Sequence, residues 1–549
     1  MIAVSLEFRT PKTHRSLDSS VDANKRIFAE FVGGNVCAQC HKAEYDLWLG
    51  SHHDLAMQEA NKKTVLGDFG DIEFDYYGVK SEFYTQDGKF MVRTDGPDGK
   101  LHDYEIKYTF GAYPLQQYLI EFPDGRLQAL GIAWDSRAAD EGGQRWFHLY
   151  PDEKIAHADT LHWTGIDQNW NHMCAECHST DLKKNYDINT DTFETTWSEI
   201  NVSCEACHGP GSEHVKWAEQ RNADRSPNMG LLVTFSDHKG VGWEISEESG
   251  NAVRSESLES HAEIEACSRC HSRRSSISDS YIYGKSLLDT HMPVLLEEGI
   301  YYPDGQIQAE DYEWGSFVQS RMYHEGVTCT DCHNAHSLQL KAEGNSLCAG
   351  CHAAEKFDTP SHHHHKQMSE GSSCVGCHMH ETNYIIIDAR RDHSIRIPRP
   401  DLTVEIGTPN ACNKCHTDRT AEWAASEING WGGGYKGYQN YGVTLYAARA
   451  GVPGAEDLLV KLAGDASAPA IARATALKEL ESYISPYSLA SVEKGLKSKD
   501  PLIRGSALDA LQATPPDIRL GLAFNLLDDP VLAVRMKAVK APAGGPGED

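Results

Sequence analysis

All sixteen cysteines of this 549-residue chain sit in Cys-x-x-Cys-His pentapeptides, and none is left over. In chain order these are Cys37, Cys40 and His41; Cys174, Cys177 and His178; Cys204, Cys207 and His208; Cys267, Cys270 and His271; Cys329, Cys332 and His333; Cys348, Cys351 and His352; Cys374, Cys377 and His378; and Cys412, Cys415 and His416. On a helical turn, positions i, i+3 and i+4 share one face, so two thiols and an imidazole can converge on one flat ligand. That is the pattern of a c-type haem attachment site, with thioether bonds from the thiols to the porphyrin and iron ligation by the histidine. Zinc knots and disulfides also use paired cysteines, but neither requires a histidine directly after the second one. Histidine fills about one position in twenty, so eight chance occurrences have a probability of order 10⁻¹⁰. The expected cofactor is eight covalently attached haem c groups.

Between residues 37 and 416 there is one attachment site for roughly every fifty residues, so porphyrin would replace much of the packed side-chain core. The expected fold is mainly α and irregular: a haem-organised core with a small antiparallel β insertion and a C-terminal α-helical repeat (α-solenoid) domain. Residues 1–36 read as a polar arm and 37–64 as the first attachment segment. Residues 65–160 read as the β-rich insertion, because FDYYGVKSEFYTQDGKFMVRTDGPDGKLHDYEIKYTF alternates apolar with polar residues around Asp-Gly hairpin turns. Residues 161–430 form the multihaem core, and NGWGGGYKGYQNYG reads as a linker. Beyond it, residues 443–549 place Arg473, Arg504 and Arg535 at 31-residue spacing, each preceded by a proline. That period resembles HEAT repeats, in which helical hairpins bury an apolar face on their neighbours.

The formal net charge of −29 argues against nucleic-acid binding and favours steering toward cationic partner surfaces. No apolar run reaches membrane-spanning length. MIAVSLEFRTPKTHRS lacks the apolar centre of a secretory signal. Covalent haem attachment nevertheless leads us to expect a periplasmic or extracellular location, with the export signal lying outside this numbering.

Removing the eight motif histidines from 28 leaves 20 to supply second axial ligands. Several local motifs, CHKAEYDLWLGSHHDLAM, CHGPGSEH, GVTCTDCHNAHS, RRDHSIRIPRP and TPNACNKCH, give residues 37–416 a resemblance to a family of multihaem cytochromes. Its members include the tetrahaem electron acceptor of hydroxylamine oxidoreductase, octahaem tetrathionate reductase and the wider hydroxylamine oxidoreductase group. The resemblance implies His53 as a distal ligand, with His52 as its competitor, together with His214, His336 and His393. His162, His291 and His364 complete the expected eight, the last chosen from the run His362 to His365. His148, His172, His261 and His324 stand in reserve.

Two imidazoles per iron give a closed centre that passes electrons and binds no substrate. The expected function is therefore electron transfer between redox partner proteins, either other cytochromes or a membrane quinol-linked donor. One alternative is a haem-dependent reductase or oxidase of the nitrite, hydroxylamine or tetrathionate class, acting at one open iron. Another is a homo-oligomer or filament, in which an arm carrying His14 donates a ligand to a second copy.

Overall fold

The computed structural model describes residues 29–220, 228–258, 260–309, 312–432 and 439–543. Most of the expected arm, including His14, and the centre of the glycine-rich linker lie outside these residues.

The first unit is a nine-stranded antiparallel sheet: β1 (Met57–Glu59), β2 (Ile72–Tyr76), β3 (Val79–Gln86), β4 (Lys89–Asp95), β5 (Leu101–Phe110), β6 (Leu115–Glu121), β7 (Leu127–Ala129), β8 (Ile132–Asp135) and β9 (Arg145–His148). Its path runs β2-β3-β4-β5-β6-β8-β9, with β1 beside β5 and β7 beside β6. The turn Asp87-Gly88 joins β3 to β4 with both residues at positive φ, the geometry that suits a two-residue hairpin.

This sheet corrects the expected fold class. It is a nearly closed, barrel-like body, and strand makes up 17% of the chain, too much for a small insertion in a mainly α core. The reason lies in β6 to β8. Leu127–Ala129 and Ile132–Asp135 are buried at every position, so they show no polar alternation to mark them as strands.

One face of the sheet buries Phe83, Val92, Ile106, Tyr118, Leu130 and Trp146. Phe83 stacks on Trp146 at 3.7 Å and Phe69 meets it edge-on. The other face buries Met57, Phe110, Leu119 and Leu127 against Trp170 and Ala175, so the sheet is the platform on which the second pentapeptide sits. At the adjoining turn, Gly125 has φ +79°, and a side chain there would collide with the Phe193 carbonyl.

Between residues 149 and 432 the described residues form helices of ten residues or fewer, loops and two-stranded ribbons, among them Trp243–Ile245 with Ala252–Arg254 and Glu381–Tyr384 with Asp388–Arg391. Seven helices follow: α1 (Gly442–Arg449), α2 (Ala455–Gly464), α3 (Ala470–Glu479), α4 (Pro486–Gly495), α5 (Pro501–Ala510), α6 (Pro516–Ala523) and α7 (Leu532–Ala543). Helix α3 packs on α5, and α5 on α7. The spaced arginines bond the chain just before their own helices: Arg473 donates to Ala463 O in the last turn of α2, Arg504 to Ser498 O and Lys499 O, and Arg535 to Asp529 O.

This stack shares one apolar core with Leu295, Leu296, Tyr301 and Val318 of the preceding region. Leu296 N donates to Thr475 Oγ1, and Leu532 N to Asp289 Oδ1. Among the described residues no helix is long and apolar enough to cross a membrane.

Candidate haem-attachment sites

Each pentapeptide lies on or beside a short helical turn. The histidine backbone N–H donates to the carbonyl of the first cysteine at several of them, as His41 does to Cys37 O at 2.9 Å and His416 to Cys412 O at 2.9 Å. That i to i+4 bond sets thiol and imidazole one turn apart on a common face. All sixteen thiols are free of disulfides, and among the described residues no three His, Cys, Asp or Glu side chains converge as a zinc site needs. The donor set fits thioether-bound haem, with the paired cysteines as anchors and the histidines as iron ligands.

The imidazoles are oriented for ligation. His178 donates through Nδ1 to Ala56 O, His378 to Arg396 O, His214 to Met229 O, His393 to Arg391 O and His365 to His363 O. A hydrogen bond at Nδ1 fixes the tautomer and leaves the Nε2 lone pair for a metal. Burial, and then the neighbouring His271 imidazole, push His53 down to about 4, so it is neutral and ligand-competent at pH 7. At His271 burial opposes the charge, yet the Glu313 carboxylate at 3.1 Å outweighs it and pushes this imidazole up to about 9.

Two imidazoles that would hold one iron between them would have ring centres about 6 Å apart. Four motif histidines meet a second imidazole at that spacing: His41 with His214 at 6.0 Å, His271 with His53 at 6.4 Å, His378 with His362 at 6.2 Å, and His416 with His365 at 5.9 Å. His336 lies near His208 and His393 near His333, close enough for each to disfavour its neighbour's charge alongside burial.

The other expected ligands stand elsewhere. His162 is buried in the β unit with both nitrogens engaged, by Asp95 Oδ2 at 3.2 Å and Thr164 Oγ1 at 2.8 Å. His291 is likewise held between Glu176 Oε1 and Thr290 Oγ1, both at 2.9 Å. His364 stacks on Trp431 at 4.0 Å, and His52 is exposed. Among the described residues, the ring in contact with His178 is Phe110, edge-on at 5.5 Å, and the one against His352 is Phe357, edge-on at 5.8 Å.

Sequence reasoning passed over the variable positions inside the pentapeptides, where Glu176, Glu205, Arg269 and Asp331 sit. Glu205 is buried and accepts from Val32 N, Gly33 N and Gly211 N at 2.7–3.1 Å. Arg269 is buried over the Tyr281 ring at 4.4 Å, with Glu176 Oε1 3.8 Å from Nε. Desolvation would raise the Glu176 carboxyl, but His291, Arg274 and Arg269 hold it well below the usual carboxylate range. Charge at these x positions, with Lys414 of the eighth pentapeptide as a fifth, was the available signal.

The family model described as cytochrome c7 and related cytochrome c matches residues 335–417, and that of cytochrome c554 and c-prime matches residues 36–71 and 144–209. No curated protein matches the chain. Among solved structures, the crystal structure of outer cell wall cytochrome OcwA aligns at TM-score 0.46 and 16% identity, covering 88% of this chain and 99% of its own. The two family matches span six of the eight pentapeptides, and on that footing the chain is a multihaem c-type cytochrome.

Proposed function

We propose that this chain carries eight haem c groups and transfers single electrons outside the cytoplasm, between redox proteins or a quinol-linked membrane donor and an acceptor. Each haem supplies a one-electron iron couple when bound. The chain's part is to anchor it through two thiols, present Nε2 of an oriented histidine, and close the opposite face with a second imidazole. The four imidazole pairs at 5.9–6.4 Å are the observation that carries this reading. The distal set it supports is His214, His53, His336, His393, His362 and His365. The helical stack, HEAT-like in its arginine spacing, shares its core with residues 295–318, which favours a scaffolding role.

A second reading has a specific observation behind it. His178 and His352 meet a phenylalanine edge-on and, unlike His208, which also meets Phe235 but has His336 nearby, have no partner in the distal set above, which favours an open iron at one of these sites and the reduction or oxidation of a small nitrogen or sulfur oxyanion there. Electron paramagnetic resonance of the oxidised protein, with nitrite, hydroxylamine or cyanide added, separates the two. Wholly low-spin iron that ignores the additions supports electron transfer alone, whereas a high-spin signal that shifts with them supports the enzyme.

A further inference from the structure

We infer that the chain strings seven of its attachment sites in a single file, in the order first, third, fourth, fifth, sixth, seventh, eighth, with the second as a spur on the fourth. The two exposed ends, at Cys40 and Cys415, are the ports for one-electron partners. This rests on the haem reading above and adds the route.

Hydrogen bonds and ion pairs tie each site to the next. Glu205 of the third pentapeptide holds the backbone of Val32 and Gly33 leading into the first. Arg269 of the fourth reaches Ala206 O of the third at 3.5 Å and, on its other side, Glu176 of the second. Thr330 of the fifth bonds Glu263, on the helix that carries the fourth, through both N and Oγ1 at 2.7 Å. One ribbon joins the fifth to the sixth: Trp243 Nε1 donates to Asp331 and Ala252 N to Cys351 O. Cys374 N of the seventh donates to Asn345 Oδ1 on the helix of the sixth, and Lys414 of the eighth to Glu381 O just past the seventh.

The thiols repeat this order independently. Cys37 lies against Cys204, Cys177 against Cys270, Cys267 against Cys329, and Cys348 against Cys374. Every cysteine is half-buried except Cys40 and Cys415, which are exposed, and these belong to the two sites at the ends of the file. Passing one electron along it makes and breaks no bond; a one-electron reductant at one end is oxidised and a one-electron oxidant at the other is reduced.

The test tethers the holoprotein to gold through one added thiol near either end, using Lys42→Cys or Asp418→Cys, both at exposed positions, and counts the charge exchanged per chain in fast voltammetry. In a Cys348→Ala/Cys351→Ala background, with seven haems by mass, the Lys42 tether should exchange five electrons and the Asp418 tether two. In a Cys174→Ala/Cys177→Ala background all seven should respond from either tether. A sixth-site variant that exchanges all seven from both tethers, or a spur variant that loses the far sites, overturns the inference. Should these variants fail to fold, the otherwise unaltered chain decides it: exchange through either end should be about tenfold faster than through Tyr487→Cys on the exposed helical stack, and equal rates overturn it. A chain without haem mass would defeat the functional reading instead.

Discussion

His362 and His365 stand three residues apart, yet each ring meets the imidazole of a different attachment site, 6.2 Å from His378 and 5.9 Å from His416. A short helix over Pro360–His363 and a left-handed residue at His364 divide the run. His362→Ala and His365→Ala should each convert one iron from low to high spin without changing the haem count, and His364→Ala should convert none. Paramagnetic resonance with intact mass reads both, and an unchanged spectrum for the first two variants would reject the assignment. The run was visible in the sequence as a ligand source, but the choice within it was not, because local backbone conformation decides which ring turns inward. His162 and His291 stand apart from the imidazole pairs for a different reason. Their partners Asp95 and Glu176 lie 67 and 115 residues away in the chain, and only the fold shows that their nitrogens are taken.

At the scale of elements, the hairpins β2 to β5 were legible from alternation and Asp-Gly turns, whereas β7 and β8, buried on both faces, carried no period to read. The sheet's core gives a direct stability test. Phe83 is fully buried and stacked on Trp146, so Phe83→Ala should cost about 3–5 kcal/mol of the β unit's stability, measured by denaturant unfolding followed through tryptophan fluorescence. A second test sits at the joint between core and helical stack. Burial pushes the Glu265 carboxyl up to about 7, with Asp289 and Asp500 facing it and Leu287 N donating to it. Tyr281 and Tyr323 also feel its charge. Because the folded state holds this proton more tightly than the unfolded chain, the stability it contributes is full below about pH 4.5 and is lost as pH rises through about 7. Glu265→Gln keeps the acceptor without the charge, so it should be more stable than the parent at pH 8 by on the order of 1–3 kcal/mol. The difference should shrink toward pH 5 in urea titrations; a gain that is equal at both pH values would contradict the assignment.

Across the whole molecule, a −29 chain with 80 carboxylates sets a few of them between its attachment loops. Glu205, Glu176 and Glu263 tie one attachment loop to the next, so the spacing of the sites is set by residues in and beside the pentapeptides. The eight pentapeptides themselves were legible in the sequence, since no cysteine falls outside the motif. Their order in space was not, because the second site leaves the file to lie against the fourth. The account stands on every pentapeptide being loaded, and intact mass spectrometry of the natural protein tests that most directly. It should weigh eight haem increments more than its own polypeptide, and a mass equal to the bare chain would contradict the account.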